Sequence, residues 1–141
     1  MKLNFTKDQG ITVPLQLHSI LNFELAKVEM PDSSFCALTF NFRDLNYSAD
    51  TGGYHPVEVR IEKHNDLWQF IYITDFSYQG YPAELVKEID VCFESKQVYS
   101  LYGGWLNQRD AMELVKLFIA NFVEYHEMNA YNTKIGFSHE Y

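Results

Sequence analysis

The sequence has little positive charge, and the positive charge it has is dispersed. Its 11 Lys and Arg residues are outnumbered by 19 Asp and Glu residues, which gives a formal net charge of −8. Sequence-independent nucleic-acid binding needs Lys and Arg clustered on phosphates, so no nucleic-acid partner is expected. The surplus of carboxylates is most simply a solvated surface, and a cationic partner is the alternative.

Long apolar runs are also absent. A membrane-spanning helix needs about 18 or more consecutive apolar residues, and no part of the chain has them. Residues 1–10 contain no basic region followed by an apolar stretch, which a secretory signal requires. We therefore expect a cytoplasmic protein without a membrane partner.

Cysteine is scarce, and the common catalytic motifs are missing. Cys36 and Cys92 lack CxxC spacing, so we expect two reduced, packed thiols rather than a redox motif or a zinc knuckle. The dinucleotide, P-loop, serine-hydrolase and zincin signatures do not occur. The five histidines include no i, i+4 pair, so a metal site would need ligands from distant positions. We predict neither a metal nor another cofactor.

Length and composition suit one globular domain over residues 1–141. A chain of this length can bury roughly two-thirds of the surface that it exposes when unfolded. Hydrophobic residues make up 47% and charged residues 21%, as in ordinary folded domains. The high aromatic share of 16% comes mainly from Phe and Tyr, which favour strands and half-buried contacts.

Two segments have helical periodicity. The first covers residues 14–28, with Pro14 in its first turn and an apolar stripe on one side. The stripe is formed by Leu17, Leu21, Leu25 and Val28. The second helix follows Asn107, which can cap it, and runs to about residue 126. Asp110 places a carboxylate in its first turn, where the helix dipole is positive.

Glu24 interrupts the apolar side of the first helix. A buried carboxylate at this position would be costly unless it were paired, and it would then be a candidate functional group. We favour the simpler interpretation, in which Glu24 lies at the rim of the apolar stripe.

Between the two helices the period changes to two, which predicts strands. Residues 35–43 and 57–62 alternate, residues 67–76 are apolar on both faces as in a central strand, and strands over residues 85–93 and 98–102 follow. Their short connections require antiparallel pairing. Ile135 and Phe137 can add an edge strand. The prediction is an α+β fold with an N-terminal helix, a twisted antiparallel sheet of five to seven strands, and a long C-terminal helix packed on the sheet.

The second helix has more apolar surface than one sheet can cover. Its apolar side chains spread over roughly 240° of the helical wheel. Leu117 lies on one flank of this arc, and Ile119 and Val123 lie on the other. The first helix can cover one flank, and a neighbouring subunit is the expected cover for the other. We therefore predict a homo-oligomer with these three residues at its interface.

The segment Gly52-Gly53-Tyr54-His55-Pro56 is the most distinctive local feature. Two glycines free the backbone beside an imidazole, so His55 could act as a general base. No nucleophile and no orienting carboxylate is adjacent in sequence, and we favour a turn that leads into a strand. The glycine-rich segment around Tyr102 and Trp105 could line a pocket with Tyr54 and His55, although packing at a turn is the simpler interpretation.

Three segments resemble a bacterial family of uncharacterised domains: residues 52–59, the Tyr81-Pro82 turn with residues 85–93, and the closing aromatic-rich helix. The resemblance covers most of the chain. That family is similar in fold to the mitochondrial acidic matrix protein family, whose eukaryotic members are acidic homotrimers that bind the globular heads of a complement component. The resemblance implies a highly twisted antiparallel sheet between terminal helices, a ring-like assembly such as a trimer, and an interaction role. It names no catalytic residue.

Two functional hypotheses follow. The first is a non-enzymatic, acidic, oligomeric protein-interaction module, based on the wide apolar arc and the missing catalytic signatures. The second is a small-molecule-binding protein or enzyme with a pocket near Tyr54, His55, Tyr102 and Trp105.

Overall fold

The computed structural model describes residues 1–32 and 34–141. Within these residues the chain forms two helices and seven strands in an α+β arrangement, as the sequence predicts. In chain order the elements are α1 (Leu15–Ala26), β1 (Ala37–Arg43), β2 (Val57–His64), β3 (Leu67–Gln79), β4 (Glu84–Cys92), β5 (Gln97–Ser100), β6 (Gly104–Trp105), α2 (Gln108–Glu127) and β7 (Asn132–Ser138).

All seven strands join one antiparallel sheet in the order β6-β5-β4-β3-β2-β1-β7. The first six strands follow the chain order, because each short connection returns the chain beside the strand it has just left. The predicted edge strand containing Ile135 and Phe137 is confirmed as β7, which pairs with β1 after the chain has passed through α2. Only β6, two residues long, has no counterpart in the sequence prediction.

The two faces of the sheet have opposite character. One row across five strands is buried and apolar, and it consists of Phe40, Val59, Ile73, Val91 and Val98. The neighbouring positions point to the other face and are polar. On that face the Thr74 hydroxyl donates a hydrogen bond to Asp90 at 2.7 Å, and the Tyr72 hydroxyl donates one to Glu58. Both helices add buried side chains to the apolar cluster, so the core lies between the helices and one face.

The two helices form largely as their sequence patterns predict. Leu17, Leu21 and Leu25 are fully buried, but α1 ends at Ala26, and Val28 lies beyond it with 37% of its surface exposed. Asn107 caps α2, since its side-chain oxygen accepts a hydrogen bond from the Asp110 N–H at 2.9 Å. Neither helix of the described residues combines the length and hydropathy that crossing a bilayer requires.

The interpretation of Glu24 as a rim residue is wrong. Its exposed fraction is 6%, and its carboxylate lies 2.8 Å from His126 Nε2 on α2 and 3.3 Å from Lys27 Nζ. A buried carboxylate is tolerated here because it is paired. The partner lies 102 residues away in sequence, so the helical wheel could not reveal it.

The two flanks of α2 face different surroundings. Ile119 and Val123 face α1, and Ile119 is only 1% exposed within the single chain, so this is the flank that the first helix was expected to cover. Val123 is partly buried against the core. Leu117, on the opposite flank, keeps 59% of its surface exposed. The first helix therefore covers one flank, and the other remains open.

Candidate functional site

The loop before β2 is held in place by Asp44. Its carboxylate accepts hydrogen bonds from the N–H groups of Asn46 at 2.9 Å and Tyr54 at 3.0 Å. Gly53 has a φ of +134°, and a Cβ there would lie 2.8 Å from the Asp44 carboxylate. Only glycine fits this conformation and this close approach without strain. The loop therefore holds Tyr54 and His55 in a fixed arrangement at the end of the sheet.

His55 meets two carboxylates that come from different strands. Its Nδ1 lies 3.2 Å from Asp75 Oδ2 on β3 and 3.4 Å from Glu88 Oε2 on β4. The three donor atoms all lie within 4.8 Å of one another. The sequence analysis found no carboxylate adjacent to His55 in the chain, and the fold supplies two from more distant positions.

The Asp75 side chain is on the face of β3 that packs in the core, where an apolar residue is expected. It pairs with Val57 on one side and Ile89 on the other, and it follows the buried Ile73 by two residues on the same face. Its exposed fraction is 5%, and its Oδ1 accepts a hydrogen bond from the Ile89 N–H at 2.8 Å. This bond fixes the carboxylate so that the other oxygen points to His55.

Glu88 reaches the same place because the β3–β4 ladder is irregular. Ile89 pairs with Asp75 and Lys87 pairs with Phe76, so Glu88 is an extra residue without a partner on β3. Strict alternation would put Glu88 on the polar face of the sheet. A bulge redirects a side chain in this way, and bulges are frequent beside functional sites.

These groups lie in a cavity of about 340 Å³ between the end of the sheet and α2. Its walls are mainly aromatic and aliphatic, and they include Tyr54, Tyr125, Tyr131, Phe118, Phe122, Leu114 and Leu117. The Tyr54 and Tyr125 rings lie 4.5 Å apart. Burial, with a smaller contribution from neighbouring Tyr125, raises the pKa of the Tyr131 phenol, which keeps it a hydrogen-bond donor. Three phenols therefore surround the acidic cluster.

The charge state of His55 follows from its neighbours. The hydrogen bond to Asp75 raises the pKa of the imidazole, burial opposes that shift, and the negative charges of Asp75 and Glu88 add to the increase. Both carboxylates contact Nδ1 of the ring and not Nε2. Because carboxylates accept hydrogen bonds, Nδ1 carries a proton. A histidine oriented by a carboxylate in a partly apolar cavity can exchange protons with a ligand or bind a cation.

The structure brings together only two of the four residues that the sequence analysis placed in one pocket. Tyr54 and His55 line the cavity, whereas Tyr102 and Trp105 do not. Tyr102 is 77% exposed, and Trp105 is 60% exposed and packs against Tyr99. Both lie in the β5–β6 turn region, which is away from the cavity. The residues that replace them at the site, Asp75 and Glu88, were missed, although a lone charge in the apolar run of β3 was a usable signal.

Comparison with known proteins shows the family. The model of a family described as "Protein of unknown function (DUF2787)" matches residues 15–136. This chain belongs to that family. No curated protein matches the sequence.

Two solved structures resemble this DUF2787 chain over nearly its whole length. One is the hypothetical protein VC0508 from the VSP-II pathogenicity island of Vibrio cholerae, with 39% identity, a TM-score of 0.90, and coverage of 97% of this chain and 100% of that one. The other is the conserved hypothetical protein VC1805 from pathogenicity island VPI-2 of Vibrio cholerae O1 biovar eltor, with 31% identity, a TM-score of 0.80, and coverage of 92% and 98%. VC1805 is described as sharing structural homology with the human P32 protein. The resemblance stated from the sequence is confirmed.

Proposed function

We propose that this DUF2787 protein is a non-enzymatic, homo-oligomeric protein-interaction module. The observation that carries the proposal is an apolar groove of about 680 Å³ between α1 and α2, here called the helix groove. It is lined by Thr12, Pro14, Gln16, Met112, Val115, Lys116, Ile119, Ala120 and Val123. Large apolar grooves on a protein surface mark contact sites.

The charge of the lining favours a second copy of the chain as the occupant. Each copy carries a net charge of −8, so two copies repel wherever their carboxylates meet. The helix groove has no Asp or Glu among its lining residues. It is therefore a surface on which like-charged copies can approach and bury apolar area.

The fold supports the same conclusion. VC1805 is described as sharing structural homology with the human P32 protein. The mitochondrial acidic matrix protein family, to which the family resembled by the sequence is similar in fold, has homotrimeric eukaryotic members. A ring of three copies joined through the terminal helices is accordingly the proposed assembly. The remaining acidic surface would then face other proteins, with basic partners favoured.

A cytoplasmic location is part of this proposal. Cys36 and Cys92 are both free and partly buried. Free thiols persist in reducing compartments, whereas oxidising compartments favour disulfides.

Sedimentation velocity of the full chain at tens of micromolar tests the assembly. We expect a species larger than the monomer for the wild type and dissociation for Ala120→Glu, which puts a charge into the helix groove at an exposed helical position. Ala83→Glu, at an exposed position in the β3–β4 turn, is the matched control and should leave the assembly unchanged. A wild-type chain that is strictly monomeric would refute the proposal.

Leu117→Glu separates the two flanks of α2. Because Leu117 lies at the His55 cavity and not in the helix groove, the proposed assembly should survive this substitution. Dissociation would show that the open flank forms the interface instead.

A second function is favoured by the cavity at His55. A histidine oriented by Asp75 and surrounded by Tyr54, Tyr125 and Tyr131 can bind a small polar ligand. Ligand-observed NMR against a library of small polar compounds tests this function. Binding that His55→Gln abolishes would support it, and hits that survive the substitution would count against it.

A further inference from the structure

We propose that His55, Asp75 and Glu88 form a binding site for a divalent first-row transition metal ion of the zinc class. The three side chains come from the loop before β2, from β3 and from β4, and their donor atoms lie within 4.8 Å of one another. This inference is independent of self-association, because the helix groove shares none of these residues.

The two distances from the His55 nitrogen to the carboxylate oxygens match those of a tetrahedral site. Zinc binds imidazole nitrogen and carboxylate oxygen at about 2.0–2.2 Å, so two ligand atoms of a tetrahedron lie about 3.4 Å apart. His55 Nδ1 lies 3.2 Å from Asp75 Oδ2 and 3.4 Å from Glu88 Oε2. An ion can therefore take the place of the Nδ1 proton once the Asp75 and Glu88 oxygens, which lie within 4.8 Å of each other, adopt the same spacing.

The charge of the cluster also favours a dication. Asp75 is 5% exposed and the Glu88 side chain is 19% exposed, yet His55 is the only cationic side chain that contacts either carboxylate among the described residues. Even a protonated imidazole leaves one of the two negative charges unbalanced. Burying such a charge is costly, and a divalent ion would neutralise both carboxylates.

The surroundings of the cluster resemble a metal site that exchanges ligands. Asp75 is oriented by the Ile89 N–H at 2.8 Å, and such outer hydrogen bonds fix metal-binding carboxylates. Three protein ligands leave a fourth position, which here opens into a cavity lined by phenols. The nitrogen ligand favours zinc-class ions over Mg²⁺ and Ca²⁺, which prefer oxygen ligands alone.

Isothermal titration calorimetry of the full chain with Zn²⁺ alone tests the proposal. We expect one site per chain in the wild type, with much weaker binding of Mg²⁺. Loss of an outer hydrogen bond typically costs about 10–100-fold in metal affinity, so His55→Gln and Glu88→Gln should each weaken Zn²⁺ binding by more than about 100-fold. Both positions are partly exposed, and the variants should remain folded by circular dichroism.

His139→Gln is the matched control. His139 Nε2 lies 3.3 Å from Asp32 Oδ1, so it is also a histidine paired with a carboxylate, but it belongs to no cluster of three ligands among the described residues. This variant should bind Zn²⁺ as the wild type does. The proposal is overturned if the wild type binds no Zn²⁺, or if folded His55→Gln and Glu88→Gln bind it with wild-type affinity. Sedimentation of the same samples shows separately whether the assembly persists.

Discussion

Replacing His126 with phenylalanine tests whether the contact between the helices depends on pairing a buried carboxylate. The imidazole packs edge-on against Phe23 and Phe42, with ring centroids 5.9 and 6.1 Å away, and a phenyl ring can keep both contacts. What the substitution removes is the hydrogen bond at 2.8 Å to Glu24, whose exposed fraction is 6%.

The expected loss of stability follows from the Glu24 carboxylate, which the substitution leaves buried without its main partner. Removing one partner of a buried ion pair typically costs about 3–5 kcal/mol, because the other charge stays buried. Lys27 Nζ still lies 3.3 Å from Glu24, but the Lys27 side chain is 55% exposed and compensates little. We therefore expect His126→Phe to lower the free energy of unfolding by about 3 kcal/mol, which is a fall of about 10 °C in Tm for a chain of this size.

Glu24→Met should cost less, about 1 kcal/mol, because it leaves an unpaired nitrogen on an imidazole that is 14% exposed rather than an unpaired buried carboxylate. The double variant should be more stable than His126→Phe alone, since an apolar pair replaces a broken ionic one. Urea unfolding measures all three, followed by tryptophan fluorescence, in which the reporter of the core is Trp68, 1% exposed. If His126→Phe lies within about 0.5 kcal/mol of the wild type, or if the double variant is the least stable, the reasoning is refuted.

Two further predictions concern the loop and its histidine. Gly53→Ala should lower the free energy of unfolding by more than about 1 kcal/mol, because φ is +134° and the added Cβ would lie 2.8 Å from the Asp44 carboxylate. Gly52→Ala, where a Cβ meets nothing within 4 Å, should cost less in the same urea measurement; equal costs would contradict the steric argument. Because Asp75 and Glu88 raise the pKa of His55, its contribution to stability is complete below its unfolded value of about 6.5 and is lost as the pH rises through the higher folded value. Urea midpoints from pH 5 to 9 should show this loss in the wild type and a flatter profile in His55→Gln, whereas parallel profiles would rule it out.

The elements with strong local periodicity were predicted closely. Both helices and strands β1–β5 lie within a few residues of their expected ranges, because alternation and the helical stripe are properties of adjacent residues. The edge strand β7 was indicated by Ile135 and Phe137 alone, since its partner β1 lies far away in the chain. Strand β6 was missed because two residues cannot establish a period.

The site was predicted less well than the fold. Tyr54 and His55 were identified from an unusual local segment, and they do line the cavity. Tyr102 and Trp105 share that local character, yet their turn lies elsewhere on the sheet, so similarity of composition did not imply proximity. Glu88 could not be assigned to the cavity, because a bulge in the ladder changes the direction of a side chain without leaving a mark in the sequence.

The sequence by itself determined the acidic charge, the order of helices and strands, and the antiparallel pairing, because each depends on composition, period or connection length. Only the tertiary structure decided which charged groups meet. Glu24 lies 102 residues from its partner His126. His55 lies 20 residues from Asp75 and 33 residues from Glu88. These contacts depend on strand register and helix packing. Such contacts arise from the summed packing of the whole chain, and no local pattern contains that information.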